Sequence, residues 1–159
     1  ETLLFCDQVI KQIKQPKIID ADAIKSVKIQ EINNSIITAN KRELNRLLDN
    51  SNLKLSKIDE IQPLLGNNIV ISKGNPDIII SDKKIAYNET GNPGMTVAGT
   101  GDILAGIISG FVSQKNNLFD ASCAGTYLCG KIGDDLLQES GNGFLASDFI
   151  DKISDYLKV

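Results

Sequence analysis

The stretch GNPGMTVAGTGDILAGIISGF, residues 91–111, places a glycine-rich loop directly in front of an apolar run. It holds six glycines and one proline, and a single carboxylate, Asp102, stands where the loop meets the run. Apolar residues recur there at helical spacing: Ile103, Leu104, Ile107, Ile108 and Phe111. This period predicts an amphipathic helix from about Asp102 to Gln114. The small residues between them, 105, 106, 109 and 110, are expected to form a second face for close packing.

The start of this helix is a candidate anion site. The first turn of a helix leaves backbone N–H groups unpaired and carries a partial positive charge. Gly99 and Gly101 remove side chains where the backbone must approach a ligand, so the loop can cradle a phosphate. Asp102 could accept a proton from a substrate hydroxyl while the amides hold a transferring phosphoryl group. A structural role, an acid that stabilises the first turn by about 0.3–1 kcal/mol, fits the stretch equally well.

Composition narrows the classes of function. The chain has 159 residues, 42% apolar and 23% charged, which is typical of a globular domain. It has no histidine, so triads and general bases that use histidine are excluded. A net charge of −3 with two arginines argues against a nucleic-acid partner. No apolar run approaches the ~18 residues that cross a membrane. Three cysteines without a Cys-x-x-Cys motif indicate reduced thiols in a cytoplasmic protein.

Strand and helix patterns alternate along the chain. Strands are predicted at Lys17–Asp20, Ser35–Thr38 and Asn67–Gly74, and a β-hairpin is predicted around Asp82. Further helices are predicted at Leu3–Lys14, at Asn40–Leu48, at Asp120–Ser140, and after Ser147, which is expected to be an N-cap. The alternation predicts an α/β fold with a mostly parallel sheet and an inserted hairpin, forming a single domain over residues 1–159.

The segment Asn40-Lys41-Arg42-Glu43 follows a predicted strand and opens a helix. Its spacing is typical of a capping box, in which Glu43 reaches back to the Asn40 amide. The alternative is a functional role, with Glu43 close to a phosphate-bound Mg²⁺, because hard cations prefer oxygen ligands.

Polar residues also follow two other predicted strands. Lys73, Gly74, Asn75, Pro76 and Asp77 come directly after one of them, and Asp20 and Asp22 come at the end of another. Ligands of open α/β sheets bind at the carboxyl ends of strands, so the lysine could meet a nucleotide phosphate. Taken alone, a solvated lysine in an ordinary turn explains the first segment better. Asp20 could cap the turn that follows it, or either acid could face the ligand crevice.

Together these pieces resemble one family. IIDADAI, TANKRE, VISKGNPDIII, GNPGMTVAGTGDILAGIISGF and ASDFI occur in the order seen in ADP/ATP-dependent NAD(P)H-hydrate dehydratases of the ribokinase-like superfamily. The resemblance spans Ile18 to Ile150 and implies a layered α/β/α sandwich. It implies a substrate, hydrated NADH or NADPH, whose ring hydroxyl is phosphorylated by ADP or ATP with Mg²⁺. Loss of phosphate then restores the double bond.

The resemblance also implies roles for residues. Asp102 corresponds to the catalytic base that contacts the hydrate, and Gly99, Thr100 and Gly101 correspond to the phosphate loop. The segment from Lys73 to Asp77 corresponds to the nucleotide contact. Asn40 stands where the family usually has a histidine that touches the substrate; here the residues are Asn-Lys-Arg-Glu, as in ribokinase-like sugar kinases.

The family's catalytic domain is longer than this chain and begins with strands that complete the substrate pocket. We therefore expect N-terminal strands to be missing and the chain alone to be weakly active or inactive, unless a second chain completes the sheet. A homo-oligomer is expected, because an open sheet edge favours pairing. Two alternatives remain: a ribokinase-like kinase for a sugar or vitamin precursor, with Asp102 as its base, and a non-catalytic fragment that binds adenine nucleotides.

Overall fold

The computed structural model describes residues 1–55 and 57–157. The α-helices are α1 (Thr2–Gln12), α2 (Lys41–Asn50), α3 (Thr100–Ser113), α4 (Leu118–Ser140) and α5 (Ala146–Tyr156). The strands are β1 (Lys17–Asp20), β2 (Ser35–Ala39), β3 (Ile69–Ser72), β4 (Asp77–Ile80) and β5 (Ile85–Asn88). Short 3₁₀ helices occupy Ala21–Ser26, Ile29–Glu31, Ile58–Leu64, Pro93–Met95 and Gly141–Gly143. No helix in the described ranges is both long and apolar enough to cross a membrane.

The five strands form one sheet in the order β1-β2-β3-β4-β5. β1, β2 and β3 are parallel, β4 is antiparallel to β3, and β5 is antiparallel to β4. Four of the five strands therefore run in one direction, and the prediction of a mostly parallel sheet with a hairpin is confirmed. Every residue of β2 is buried, as expected for a parallel strand covered on both faces.

Two apolar cores lie on opposite faces of the sheet. Ile19, Ile37 and Val70 project into the core that contains α2 and the first three 3₁₀ helices. Ile36 and Ile71 project into the core formed by α3, α4 and α5. Because neighbouring residues of a strand point to opposite faces, these strands supply both cores, which produces the predicted α/β/α layers.

Helices α3 and α4 approach closely at Gly125. A Cβ at Gly125 would lie 2.5 Å from Cγ1 of Ile108 on α3, so only glycine fits there. The expectation that the small residues of α3 form a packing face is wrong. A Cβ at Gly106 or Gly110 would meet nothing within 4 Å, because the helical period turns these positions away from the buried Leu104 and Ile107.

The N-caps predicted for α2 and α5 have different outcomes. At α2 the capping box is confirmed: the Asn40 side chain accepts the Glu43 amide, and Glu43 Oε2 accepts the Asn40 amide at 2.8 Å. At α5 the prediction that Ser147 is the N-cap is wrong, because the N-cap is Leu145, two residues earlier, and the helix begins at Ala146. There Asp148 reaches back and accepts the Leu145 amide at 2.8 Å, which satisfies a free amide at this end.

Candidate active site

A cleft of about 500 Å³ opens where strands β2 and β3 end, beside the first turn of α3. Parallel strands present their carboxyl ends at one edge of a sheet, so residues distant in sequence meet there. The residues predicted from the sequence that line this cleft are Asn40, Lys73, Gly74, Asn75, Asp77, Thr100 and Gly101.

The first turn of α3 borders this cleft through Thr100 and Gly101. Gly99, the N-cap, has a φ of 99°, a left-handed conformation that favours glycine. Thr100 Oγ1 donates to the Met95 carbonyl at 2.7 Å, which ties the helix start to the preceding loop. The Ile103 amide donates to the Gly99 carbonyl, so helix geometry leaves the Gly101 and Asp102 amides without intrahelical partners. These are the amides that the sequence analysis offered as an anion cradle, and of the two residues Gly101 lines the cleft.

A lysine and two carboxylates meet in front of Gly101. Lys73 Nζ lies 3.1 Å from Asp20 Oδ1 and 3.7 Å from Glu43 Oε2. A Cβ at Gly101 would lie 3.5 Å from Asp20 Oδ2 and 3.7 Å from Lys73 Nζ, so the ammonium group is next to the cradle. The two acids hold the lysine in place beside Gly101.

Asp20 and Asp22 take different positions. The Asp20 side chain does not cap the turn that follows β1; its Oδ1 accepts Thr38 Oγ1 at 2.6 Å as well as Lys73. Asp22 is paired with Lys25 on the surface, away from Lys73. Of the two acids that the sequence offered, Asp20 is therefore the one that joins the charged cluster.

Asp77 shapes the turn after β3. Its carboxylate accepts the Gly74 amide at 2.8 Å and the Asn88 side-chain amide at 3.1 Å. The Asn75–Pro76 peptide bond is cis, and Pro76 lies within the turn without lining the cleft. The predicted nucleotide segment is thus one compact turn, in which Asp77 maintains the shape and Lys73 supplies the charge.

Asp102 lies in the first turn of α3, as predicted, and is exposed. It borders a second depression, an apolar groove between α3 and α5, while its neighbour Gly101 lines the cleft. Gly99 does not line the cleft either; a Cβ there would lie 2.9 Å from the Ala146 Cβ, so this glycine permits contact with α5. The predicted base therefore borders the groove, and its neighbour Gly101 lines the cleft.

Comparison with known proteins identifies the family of this chain. Residues 2–155 match the family model described as NAD(P)H-hydrate dehydratase. The chain belongs to the NAD(P)H-hydrate dehydratase family. It is 34% identical over 161 residues to a bifunctional NAD(P)H-hydrate repair enzyme from Methanocaldococcus jannaschii, an alignment that covers 99% of this chain and 31% of that protein.

Solved structures show the same fold. A ribokinase-like superfamily protein from Enterococcus faecalis is similar with a TM-score of 0.83 and 28% identity, over 97% of this chain and 57% of that one. The ADP/ATP-dependent NAD(P)H-hydrate dehydratase of Bacillus subtilis, co-crystallised with ATP and Mg²⁺ and soaked with CoA, is similar with a TM-score of 0.76 and 25% identity, over 96% and 61%. The chain thus spans about a third of the bifunctional relative and about three fifths of these solved chains.

The far wall of the cleft in this member of the dehydratase family was not predicted from the sequence. It consists of the loop from Thr90 to Val97 together with Thr126, Cys129 and Gly130 of α4. The loop is fastened to α4 because the Asp134 carboxylate accepts the Gly91 amide at 3.0 Å and the Asn92 side-chain amide at 3.1 Å. A Cβ at Gly130 would lie 2.2 Å from Thr90 Oγ1. In the sequence, the small residues that recur at helical spacing on α4 are the pattern that could have indicated this close contact.

Cys129 is a neutral thiol in this wall. It is 3% exposed, and burial, with a smaller contribution from Asp77, raises its pKa to about 12. A thiol with a raised pKa is a poor nucleophile at neutral pH, so Cys129 acts by packing. All three cysteines are free, as the sequence predicted.

Proposed function

We propose that the chain forms the nucleotide-binding part of an ADP/ATP-dependent NAD(P)H-hydrate dehydratase, a partial ribokinase-like domain over residues 1–159. The observation that carries the proposal is the meeting of Lys73 with the amide cradle at Gly101, within a cleft at the strand ends. A cation and free amides together favour a phosphate group. The dehydratases that resemble this chain use ADP or ATP.

Three groups of this chain would perform the chemistry. The Gly101 and Asp102 amides would hold the transferring phosphoryl group, and Lys73 would balance its charge. The Asp102 carboxylate would take the proton of the ring hydroxyl of hydrated NADH or NADPH as that oxygen bonds to the terminal phosphorus. The bond from that phosphorus to the rest of the nucleotide breaks, so ATP leaves as ADP, or ADP as AMP. Loss of phosphate from the product, together with a proton from the adjacent ring carbon, then restores the ring double bond. The exposure of Asp102 beside the groove leaves room for a substrate on that side.

The residues fit Mg²⁺ that is shared with a nucleotide. Among residues 1–55 and 57–157, no group of three or more acidic, cysteine or histidine side chains could hold a metal by itself. Glu43 is one of the carboxylates near the cleft, and its Oε2 already accepts the Asn40 amide and lies near Lys73. Phosphate oxygens and water would therefore supply most ligands, with Glu43 contacting the ion through water. Such an ion would neutralise phosphate charge.

The remaining expectations follow from this proposal. The partners would be adenine nucleotide and hydrated NADH or NADPH, and Asn40 would contact the substrate. Three free cysteines agree with a reducing cytoplasmic location. The open sheet edge at β1 favours a homo-oligomer of the isolated chain, and that chain would turn over its substrate weakly.

The nucleotide site is tested by thermal unfolding with ATP and Mg²⁺. We expect ATP to raise the unfolding temperature of the parent chain and of Lys83→Met, whose lysine is largely exposed at the hairpin turn. Lys73→Met should lose most of this shift, because it removes the cation beside the cradle. Equal shifts for the two variants would contradict the proposed phosphate site.

The proposed base is tested with hydrated NADH and ADP or ATP, following recovery of the reduced-nicotinamide absorbance. Asp102→Asn should abolish turnover and keep the thermal shift with ATP, because the amide cannot accept the proton while the backbone cradle is intact. Unchanged turnover would remove Asp102 from the role of base.

The same assays separate the alternatives. A sugar or vitamin kinase would convert ATP to ADP with its own substrate and show no recovery of reduced nicotinamide; the family match does not favour it. A non-catalytic fragment would show the nucleotide shift alone.

A further inference from the structure

One acid outside the cleft holds the loop that forms its far wall, the segment from Thr90 to Val97, here called the wall loop. Asp134 of α4 is half-buried and does not line the cleft. Its two carboxylate oxygens accept the Gly91 amide at 3.0 Å and the Asn92 side-chain amide at 3.1 Å. Hydrogen bonds to an ionised acceptor are roughly twice as strong as neutral ones. Asp134 therefore restrains the start of the wall loop against α4.

The restraint continues from Asn92 into the middle of the wall loop. Asn92 Oδ1 accepts the Gly94 amide at 3.0 Å, while the amide group of the same side chain donates to Asp134. Both ends of this side chain are thus engaged, which fixes its orientation. The Met95 side chain packs against α4 at Gly133, where a Cβ would overlap it. Asp134 and its neighbour Gly133 consequently hold the loop at two successive points.

The far end of the wall loop is bound to the start of α3. Thr100 Oγ1 donates to the Met95 carbonyl at 2.7 Å and to the Val97 carbonyl at 2.9 Å. Thr100 is the first residue of α3 and precedes Gly101, which lines the cleft. A continuous series of hydrogen bonds therefore connects Asp134 with the helix start that faces the proposed phosphate position.

We propose that Asp134 is a positioning residue for nucleotide binding: it keeps the wall loop in place before the nucleotide arrives and does not contact the nucleotide. The inference rests on the proposed function, because that function supplies the ligand. A site that is in its binding-competent arrangement for only part of the time binds more weakly by that fraction. Without Asp134, the nucleotide itself has to order the loop. Affinity falls, while the arrangement of the bound state stays the same.

The next residue on α4 offers a matched control. Asp135 is also half-buried, but its carboxylate accepts the hydroxyl of Tyr156 on α5 instead of the wall loop. Asp135→Asn removes the same charge one position away and keeps an oxygen that can accept the Tyr156 hydroxyl. Asp134→Asn leaves one oxygen for two donors, so one of the two bonds to the loop is lost.

The first measurement is calorimetric titration of the parent and both variants with ATP and Mg²⁺. Asp134→Asn should weaken ATP binding by about tenfold, which corresponds to a loop that is in place about a tenth of the time. Asp135→Asn should bind ATP like the parent. Urea denaturation checks that both variants fold.

The second measurement is hydrogen–deuterium exchange of the wall-loop amides. The Gly91, Gly94 and Met95 amides donate to Asp134 Oδ2, Asn92 Oδ1 and the Asn92 carbonyl. In Asp134→Asn these amides should exchange about tenfold faster or more without nucleotide. Saturating ATP should return their exchange to the parent's rate. General destabilisation of α4 would not be reversed selectively at this loop.

Reciprocal exchange of the two side chains tests the contact itself. Asn92→Asp alone sets two carboxylates against each other and should weaken ATP binding. Combined with Asp134→Asn, the new amide at position 134 can donate to the new carboxylate at position 92. The other oxygen at position 92 can still accept the Gly94 amide. The double variant, which keeps the parent's net charge, should therefore bind ATP more tightly than either single variant.

Four results would overturn the proposal. They are equal ATP affinity in the parent and Asp134→Asn, an equal loss in Asp135→Asn, loop exchange in Asp134→Asn that ATP does not slow, and a double variant that binds no better than the single ones. If Asp134→Asn does not fold, the parent carries the test, because rapid loop exchange in the parent before ATP is added would contradict an ordered loop. ATP that fails to bind the parent would remove the proposed function together with this inference. ATP binding that is insensitive to Asp134→Asn would remove only the role of Asp134.

Discussion

Replacing Gly101 with alanine separates the stability of α3 from its proposed role as a phosphate cradle. Gly101 is the second residue of the helix, and its φ lies outside the positive range, so alanine can adopt the same backbone conformation. The new methyl group would lie 3.5 Å from Asp20 Oδ2 and 3.7 Å from Lys73 Nζ, which are ordinary contact distances. The folded chain should therefore accept the substitution without strain.

The substitution should raise the unfolding free energy and lower the affinity for nucleotide. Alanine in place of glycine stabilises a helix by about 0.5–1 kcal/mol, and the lower figure suits a position so near the helix end. The methyl group, however, stands between the charged cluster and any phosphate on the Gly101 amide. Loss of one hydrogen bond to a charged group costs about 1.5–3 kcal/mol, which weakens nucleotide binding by about 10- to 150-fold.

The assay pairs chemical denaturation with calorimetric titration of ATP and Mg²⁺. Ser109→Ala is the matched control, because Ser109 is exposed on the same helix and bonds only the Ala105 carbonyl. It should gain a few tenths of a kcal/mol in stability and bind ATP like the parent. Gly101→Ala should be at least as stable as the parent and bind far more weakly.

Two outcomes would refute this reasoning. If Gly101→Ala binds ATP with the parent's affinity, phosphate does not approach this amide, and the cradle is wrongly placed. If the variant is strongly destabilised, the space around Gly101 is tighter than 3.5 Å, and the expected tolerance of a methyl group there is wrong. A loss of ATP binding would then reflect unfolding instead of a blocked amide.

Three further predictions follow from the packing. Asn40→Ala should lower the unfolding free energy by about 1 kcal/mol through loss of the capping box, and no change in urea denaturation would contradict that role. Gly130→Ala should lower the unfolding free energy by about 1–3 kcal/mol and weaken ATP binding, because the new Cβ would lie 2.7 Å from the Thr90 backbone. An unchanged unfolding free energy would show that the loop at Thr90 moves to make room. Stability should fall above about pH 9, because the unfolded Cys129 thiol ionises there while the folded thiol, with its pKa raised to about 12, stays protonated. Cys129 lowers the unfolding free energy by at most about 1.4 kcal/mol per pH unit in this range. Urea titrations at several pH values should show this decrease in the parent, and the contribution of Cys129 should be absent in Cys129→Ala.

Much of the fold could be predicted from local patterns. The bounds of β1 agree with the structure at both ends, and the hairpin lies where Asp82 indicated a turn. The free amides at the start of α3 were predictable because the first turn of any helix leaves them without intrahelical partners. The prediction of Ser147 as N-cap failed because it considered only a serine that accepts amides of the first turn, whereas here the third helical residue, Asp148, accepts the amide of the N-cap, Leu145.

The sequence by itself determined the elements, their alternation, the glycine-rich start of α3 and the capping box, because each depends on residues within one or two turns of one another. Only the tertiary structure decided which side chains share the cleft. Lys73 and Asp20 are 53 positions apart and meet because β1 and β3 flank β2 in one parallel sheet. The wall from α4 and the groove beside Asp102 likewise depend on how helices pack on that sheet. Helical and strand periods show which face of an element is buried, but the partner of that face is chosen by the packing of the whole chain.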